Sequence, residues 1–600
     1  MSYDSRNIPE MFWKQVGKNP KKMAYKHKKG NEWTGIPWEE AGKIVHQIAS
    51  GLLELGLKPG EKVAILAASR WEWILCDIAA LSCGAITIPI YPSNTPEQAA
   101  YIVQDSESRF LFAENKDQLE KIIQTKHQLP ILEKVIVFVP GGAPLLNWVM
   151  TLRQLQEKGI AALQKNSQTM KERLSSIDPQ QDATYVYTSG TTGPPKGVMQ
   201  SHLNHVAMAT NLAKSVSIGK EDIHLLFLPL AHSFARALEF HHLHVGNLLA
   251  FAESIDKVVQ NLQEVRPHVM GSVPRIFEKA HTAILSKVNA GSPLKKAIFN
   301  WAYAVGKEVS ESRQKKKVPS ILVQIKHILA YKLVFSKIHQ TFGGRIRFFI
   351  SGGAPLSKEI ALFFHALGIQ ILEGYGLTET CPATHVNRLD NYKFGAVGPA
   401  IPEVEVKIAS DGEILVRGPN IAKGYFKKPE ATREAWDPEG WFHTGDIGEV
   451  DQEGFLKITD RKKDLIVTAG GKNVAPQNIE NLLKADPYIS QVMVYGDRKP
   501  YLTALITLDE AEVKKFAQDK GISNGKDLQE LVKRPEIVKL IEGIVQNKNK
   551  ELASYESIKK FTILPADFTQ ESGELTPTLK VKRKVVWEKY KDRIESMYQT

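Results

Sequence analysis

The chain has 600 residues, 43% of them apolar, which exceeds one ordinary domain and is enough to bury several cores. Three cysteines (Cys76, Cys83 and Cys381) are too few and too irregularly spaced for a disulfide framework or a zinc site, which points to a reducing, cytoplasmic setting. The net charge of +12 raises nucleic acid or an anionic surface as partner, but no nucleic-acid-binding module is legible and none is expected.

In chain order, residues 1–7 are polar and lack the apolar run of a secretory signal. The most apolar stretch, 71–91, is interrupted by Glu72 and Asp77 and predicts a helix followed by a buried strand at 85–90, not a membrane span. Residues 183–187 read as a strand by their aromatic and β-branched content. They run into Thr188-Ser189-Gly190-Thr191-Thr192-Gly193-Pro194-Pro195-Lys196-Gly197. Glycines let backbone N–H groups curl around an anion, the hydroxyls add neutral donors, and Lys196 adds a mobile positive charge. Such a loop suits phosphate oxygens. It is not a Walker A loop, because Pro195 and Gly197 stand where a glycine and a hydroxyl residue are required. An ordinary polar turn is the plain alternative. A helix over 204–213 would complete the order strand, phosphate loop, helix.

His241, His242 and His244 cluster without a carboxylate or cysteine at zinc spacing and are read as local packing. Between Lys279 and Arg347, fourteen Lys and Arg face only Glu308 and Glu311. Within that segment Lys315-Lys316-Lys317 precede 318–338, where apolar residues recur at helical intervals. A basic amphipathic helix reads as a membrane-surface element, a solvated helical face being the alternative. Strands alternate with helices through about the first 350 residues, which predicts stacked α/β layers. Short strands between glycine and aspartate turns over 397–458 suggest a small β-barrel-like subdomain. Beyond 460–463, residues 491–495 and 504–508 read as paired strands among helices, and 510–550 as charged and largely helical. The expected fold is therefore α/β: a large N-terminal domain (1–459) of stacked α/β layers with the barrel-like subdomain, then a smaller, mobile α+β C-terminal domain (460–600).

The 187–198 loop closely resembles the phosphate-binding motif of the adenylate-forming superfamily of acyl- and aryl-CoA synthetases, beetle-type luciferases and peptide-synthetase adenylation domains. Other motifs follow in the family's order. Leu228-Pro229-Leu230-Ala231-His232-Ser233-Phe234 resembles its substrate-side motif, which places His232 and Phe234 near the acyl and thiol path. Ser351-Gly352-Gly353-Ala354-Pro355-Leu356 resembles the strand end that packs on adenine. Glu373-Gly374-Tyr375-Gly376-Leu377-Thr378-Glu379-Thr380 resembles the motif whose tyrosine stacks on adenine and whose glutamate reaches Mg²⁺. Trp441 to Asp446 resembles the segment whose aspartate takes both ribose hydroxyls. Asp460-Arg461-Lys462-Lys463-Asp464 is similar to the hinge motif, with Arg461 facing the nucleotide and Lys463 as pivot. Thr576-Pro577-Thr578-Leu579-Lys580 stands where the family carries its mobile catalytic lysine. Many members place glycine directly before that lysine, where this chain has Leu579, and Lys582 and Lys584 are neighbouring rivals; aligning Thr576 and Arg583 selects Lys580.

The roles also follow from chemistry: a carboxylate holds two hydroxyls, a flat aromatic supports a base, and a hard cation needs oxygen ligands. The resemblance implies that ATP, Mg²⁺ and a long-chain fatty acid form acyl-AMP with Lys580 folded in. The C-terminal domain then turns about Lys463, so that Gly470 and Gly471 narrow a channel for coenzyme A. The basic helical insertion and Leu579 point to the long-chain members. A fatty acyl-AMP ligase serving a carrier protein, a luciferase-like reaction and a catalytically silent membrane scaffold share much of this pattern. A peptide-synthetase adenylation domain is disfavoured, since no carrier segment precedes Thr600. The expected location is cytoplasmic, peripheral to a membrane.

Overall fold

The computed structural model describes residues 3–144, 146–165, 168–188, 194–470, 472–522, 527–576 and 580–599. Two eight-stranded sheets dominate the first 430 residues. In spatial order the first runs Gly424–Tyr425, Lys196–Ser201, Asp182–Thr188, Ile86–Ile90, Lys62–Leu66, Ser108–Asn115, Lys134–Val139 and Val149–Thr151. The second runs Ala383–Val386, Gln370–Gly376, Phe348–Ser351, Val269–Ser272, Ile223–Leu226, Leu248–Phe251, Met23–Lys29 and Glu32–Pro37. Pairing is parallel through the middle of each sheet and antiparallel at both margins of the second, whereas in the first only the Gly424–Tyr425 end is antiparallel and the Val149–Thr151 edge is parallel.

The inner parallel strands are apolar on both faces, as Ile86–Ile90 shows with all five residues buried. One core contains Val63 and Ile65 from the first sheet, Leu249 and Phe348 from the second, and Trp38, Trp73 and Phe240 from helices. The helices Trp38–Glu54, Trp71–Ser82, His202–Ser215 and Ser233–Val245 therefore form the layer between the sheets. Separate cores cover the outer faces, and the stack has five alternating layers. The expected helix and strand within 71–91 are both present, as Trp71–Ser82 and Ile86–Ile90. Asp77, whose charge argued against a membrane span, pairs in the middle layer with Arg236 at 2.8 Å. His242 stacks on Trp38 with 5.0 Å between ring centres, which accounts for one of the clustered histidines as packing.

Three expectations change. The helix expected over 204–213 is present, but a strand stands between it and the phosphate loop: Asp182–Thr188 and Lys196–Ser201 form an antiparallel hairpin, with Thr188 opposite Lys196. Only then does Ser201 cap the helix His202–Ser215, accepting from the Asn204 N–H in a capping box. The 318–338 stretch is not one regular helix but Ile321–Ala330, a π-helical turn at Tyr331–Phe335, and Ser336–Thr341. The barrel-like region is an open antiparallel sheet in the order Glu405–Ile408, Glu413–Arg417, Phe442–Val450, Leu456–Arg461.

After a turn at 461–465, the remaining residues build a separate core around Ile489–Tyr495, Leu502–Leu508 and Ile558–Ile563. The first pair is antiparallel and the second parallel, with helices Pro476–Lys484, Glu510–Asp519, Pro535–Asn549 and Arg583–Ser596 around them. This is the smaller α+β unit.

Candidate active site

Ends of both large sheets and the edge of the four-stranded sheet converge on one cleft. Gln370–Gly376 delivers Tyr375, whose hydroxyl donates to Asp446 Oδ2 at 2.7 Å. Asp446 lies on Phe442–Val450 directly opposite Arg461 in the ladder, and Arg461 Nε is 3.2 Å from its other oxygen, Oδ1. Burial raises the Asp446 carboxyl, while Arg461, the tyrosine hydroxyl and Lys580 act to keep it ionised. A nearly buried carboxylate held by a guanidinium and a phenol is a fixed acceptor for paired hydroxyls.

Gly376 is required by the backbone itself. A Cβ there would fall 1.5 Å from the Pro382 carbonyl oxygen, so no larger residue allows the strand to turn into the 378–380 helical turn. Thr378 is fixed on both sides: its carbonyl accepts from Gln200 Nε2 at 2.6 Å, and its hydroxyl lies 3.3 Å from Ser233 Oγ. Gly353 adopts φ +81° in the loop after Phe348–Ser351, with Ala354 half-buried beside it. Glu373, buried beneath, ties this loop down by accepting the Leu356 N–H at 3.0 Å; burial pushes its carboxyl up to about 7.

Glu379 and Lys196 meet through a residue that sequence reasoning missed. Tyr425 donates to Glu379 Oε1 at 2.8 Å, and Lys196 Nζ lies 5.0 Å from the centre of its ring. Tyr425 reaches this position because Gly424–Tyr425 pairs with Lys196–Ser201. The readable signal was a glycine followed by two aromatics, Gly424-Tyr425-Phe426, and Gly424 takes φ +145°. Thr188 is placed at the mouth of the hairpin, whereas Ser189, Gly190, Thr191, Thr192 and Gly193 lie outside the described residues.

His232 caps the helix Ser233–Val245, its Nδ1 accepting the Phe234 N–H at 3.1 Å. Burial, with a smaller contribution from Lys580, lowers its pKa to about 3, so the ring is neutral and carries its proton on Nε2. A Cβ on Gly352 would stand 3.3 Å from the Phe234 ring, which brings the 228–234 and 351–356 motifs together.

Lys580 comes from the C-terminal unit, on a turn closed by Thr576 N–H to Lys580 O at 2.8 Å and by a Leu575–Val581 bridge. It retains solvent access in the cleft, yet its charge is felt by both His232 and Asp446. Desolvation and Arg461 lower its pKa to about 8, and Asp446 opposes them. Lys584 points elsewhere, 3.9 Å from Glu588, and the Lys582 N–H is taken by the Glu574 carbonyl. Lys463 is exposed in the turn between the two units, while neighbouring Lys462 pairs with Asp411 and Glu413 at 2.7 and 2.9 Å. Gly470 is not part of the cluster; it is exposed beside Ala469, whose N–H donates to the Lys499 carbonyl, and Gly471 lies outside the described residues.

Residues 12–426 match the family described as AMP-binding enzyme. The chain belongs to that family. Residues 463–600 match the AMP-binding enzyme C-terminal domain. A long-chain-fatty-acid–CoA ligase of Mycobacterium bovis is 38% identical over 595 residues, covering 99% of this chain and 97% of its own. A long-chain-fatty-acid–CoA ligase of Xenopus laevis is 32% identical over 629 residues, covering 99% of this chain and 84% of its own. In fold, the chain is similar to the anthranilate CoA ligase crystallised with anthranoyl-AMP, with TM-score 0.73, 18% identity and 98% of each chain covered.

Proposed function

We propose that the protein ligates a long-chain fatty acid to coenzyme A through an acyl-AMP intermediate, releasing pyrophosphate and then AMP. The observation that carries this is the convergence of Lys580 with Asp446, Arg461, Tyr375 and His232 in one cleft. The fatty-acid ligases similar over nearly the whole chain support the substrate class.

In the first step the fatty carboxylate oxygen attacks the α-phosphorus of ATP, and the bond to the bridging oxygen of pyrophosphate breaks. Asp446 takes the ribose hydroxyls, Tyr375 and the Gly353-Ala354 edge hold the adenine, and Gly376 and Thr378 shape the wall beside it. Lys196 and the 188–193 loop hold phosphate oxygens. Lys580 meets the negative charge that gathers between carboxylate and phosphate, a contact worth about 10²–10³-fold in rate. Glu379 fits a Mg²⁺ bound mainly by phosphates, since it offers a single carboxylate with one oxygen left after Tyr425. When bound, that ion neutralises phosphate charge. Neutral His232 donates from Nε2 on the acyl side. In the second step the domain turns at Lys463, Gly470 and Gly471 approach the cleft, and the CoA thiolate attacks the acyl carbon, breaking the acyl–phosphate bond.

The proposal includes peripheral contact with an anionic membrane on the cytoplasmic side. Eight of the eighteen exposed large apolar side chains among the described residues fall within 318–333. Ile321, Ile325, Ile328 and Leu329 form a solvent-facing stripe of the width that globular proteins normally turn inward. The exposed Lys315, Lys316, Lys317, Lys326 and Lys332 surround it. No described helix is long and apolar enough to cross a membrane.

Single-turnover analysis with ATP, Mg²⁺ and palmitate tests the reading. Palmitoyl-CoA and AMP appearing together with CoA present is the expected result. Palmitoyl-AMP that persists in the presence of CoA would replace it with a carrier-protein ligase, and no adenylate from any acid would leave a scaffold.

A further inference from the structure

The helix Pro274–Asn289 carries three contacts to the C-terminal unit on a single face. Arg275, Glu278 and Ser286 are separated by three and eight residues, which at 3.6 residues per turn aligns them over about 16 Å. Arg275 sends Nη1 to the Ser490 carbonyl at 2.9 Å and Nη2 to the Ser490 hydroxyl at 2.7 Å. That hydroxyl in turn donates to Asp567, so it presents its lone pair to the arginine in a fixed direction. Glu278 braces the guanidinium at 3.3 Å and reaches Lys484 at 3.8 Å. Just over two turns beyond Glu278, Ser286 donates to Glu512 and its carbonyl accepts from Lys515 Nζ at 3.3 Å. None of these residues belongs to the nucleotide motifs. The helix nevertheless starts at the nucleotide edge, since Val273 stands 3.9 Å from the Cβ position of Gly353.

A two-pronged guanidinium contact tolerates only small displacement, because both N–H groups must align with their acceptors at once. Any rotation about Lys463 large enough to withdraw Lys580 also carries Ser490 away from Arg275. The contact thus exists in the arrangement that places Lys580 in the cleft and not in a rotated one. An interaction made in one state only shifts the balance toward that state by its full worth.

We propose that Arg275 is a latch: its fork on Ser490, braced by Glu278, holds the C-terminal domain in the adenylate-forming arrangement and must open before the thioester step. Arg275 is a positioning residue, acting through Lys580. This rests on the two-step reading above and adds to it which surface sets the domain balance and which half-reaction it favours.

The test separates the two half-reactions and reads the domain arrangement directly. Dyes on Lys295→Cys and Lys520→Cys, both exposed positions, report interdomain distance by energy transfer, and the three native cysteines are buried. Arg275→Ala is expected to move molecules out of the wild-type energy-transfer state and to slow acyl-adenylate formation about tenfold. Thioester formation from supplied palmitoyl-AMP and CoA should stay within about twofold of wild type. Arg275→Lys, which keeps the charge but not the fork, should fall between. If Arg275→Ala does not fold, Ser490→Ala reads the same contact from the other side. Unchanged energy transfer, or equal slowing of both half-reactions, overturns the latch. A wild-type enzyme that makes no adenylate would instead sink the ligase reading, and the energy-transfer comparison would still decide the latch.

Discussion

The Tyr425 hydroxyl donates to Glu379 at 2.8 Å while the same ring lies under the Lys196 ammonium, so one aromatic couples the two groups assigned to the phosphate side. A hydrogen bond to a charged group contributes about 1.5–3 kcal/mol. Tyr425→Phe is therefore expected to slow adenylate formation about tenfold or more and to raise the Mg²⁺ concentration needed for half-maximal pyrophosphate exchange. Burial already raises the Glu379 carboxyl, and losing the phenol raises it further, so the variant's activity should fall earlier on the acid side. An unchanged Mg²⁺ dependence would leave Tyr425 as a packing residue.

Lys580→Ala should cut acyl-adenylate formation by about 10²–10³-fold while thioester formation from supplied acyl-AMP persists. Lys582→Ala should stay near wild type in both half-reactions, because it is the Lys580 charge that is felt at both His232 and Asp446. The reverse result would move the mobile lysine by two positions.

The pH profile of adenylate formation follows from the same lysine. With a pKa lowered to about 8 by desolvation and Arg461, Lys580 loses its proton as pH rises past that value. The rate should therefore decline toward tenfold per pH unit above about 8, and Lys580→Arg should abolish the decline at reduced rate. A flat alkaline limb in the native enzyme would contradict this.

Glu373 makes a prediction for stability. Its folded pKa of about 7 lies above the unfolded value, so the folded protein binds the extra proton. The stabilisation is complete below about 4.3 and is lost as pH rises through 7, with a slope of at most roughly 1.4 kcal/mol per unit. Glu373→Gln keeps the acceptor for the Leu356 N–H and should flatten Tm over that window. Equal pH slopes for the two proteins would assign the effect elsewhere.

Vesicle flotation separates the two halves of the membrane patch. Ile321→Ser with Ile325→Ser and Ile328→Ser should lose binding to anionic vesicles at any salt concentration, since burial of such side chains gives about 1.5–3 kcal/mol each. Glutamine at Lys315, Lys316 and Lys317 should remove only the salt-sensitive part, about 1 kcal/mol per charge. Binding unchanged in both variants would make the stripe a contact for another surface.

Much of this was legible because chemistry and spacing agree. The alternation of apolar strands and helices is local, so the strand at 86–90 and the helix before it could be read from composition alone. Asp446 and Arg461 could be named separately, but their facing positions come from the Phe442–Val450 and Leu456–Arg461 ladder, whose register is a long-range property. Tyr425 escaped because a two-residue strand has no period to detect, and its role depends on pairing with residues more than two hundred positions earlier. The stretch 318–338 reads as one helix because periodicity cannot reveal a π turn, nor say which face is covered. The helix expected over 204–213 lies within His202–Ser215, but the return strand before it is not legible, because its six residues carry no break before Ser201.

That return strand has a consequence for nucleotide capture. Thr188 and Lys196 are opposed in one ladder, so the ends of the intervening segment are joined when the sheet forms, ahead of any ligand. The entropy of closing the segment is thus settled during folding and not at the moment of binding. Closure entropy also changes slowly with length, about 0.6 kcal/mol per doubling. Affinity for ATP should consequently respond far more to which residues fill positions 189–195 than to one residue more or fewer between them.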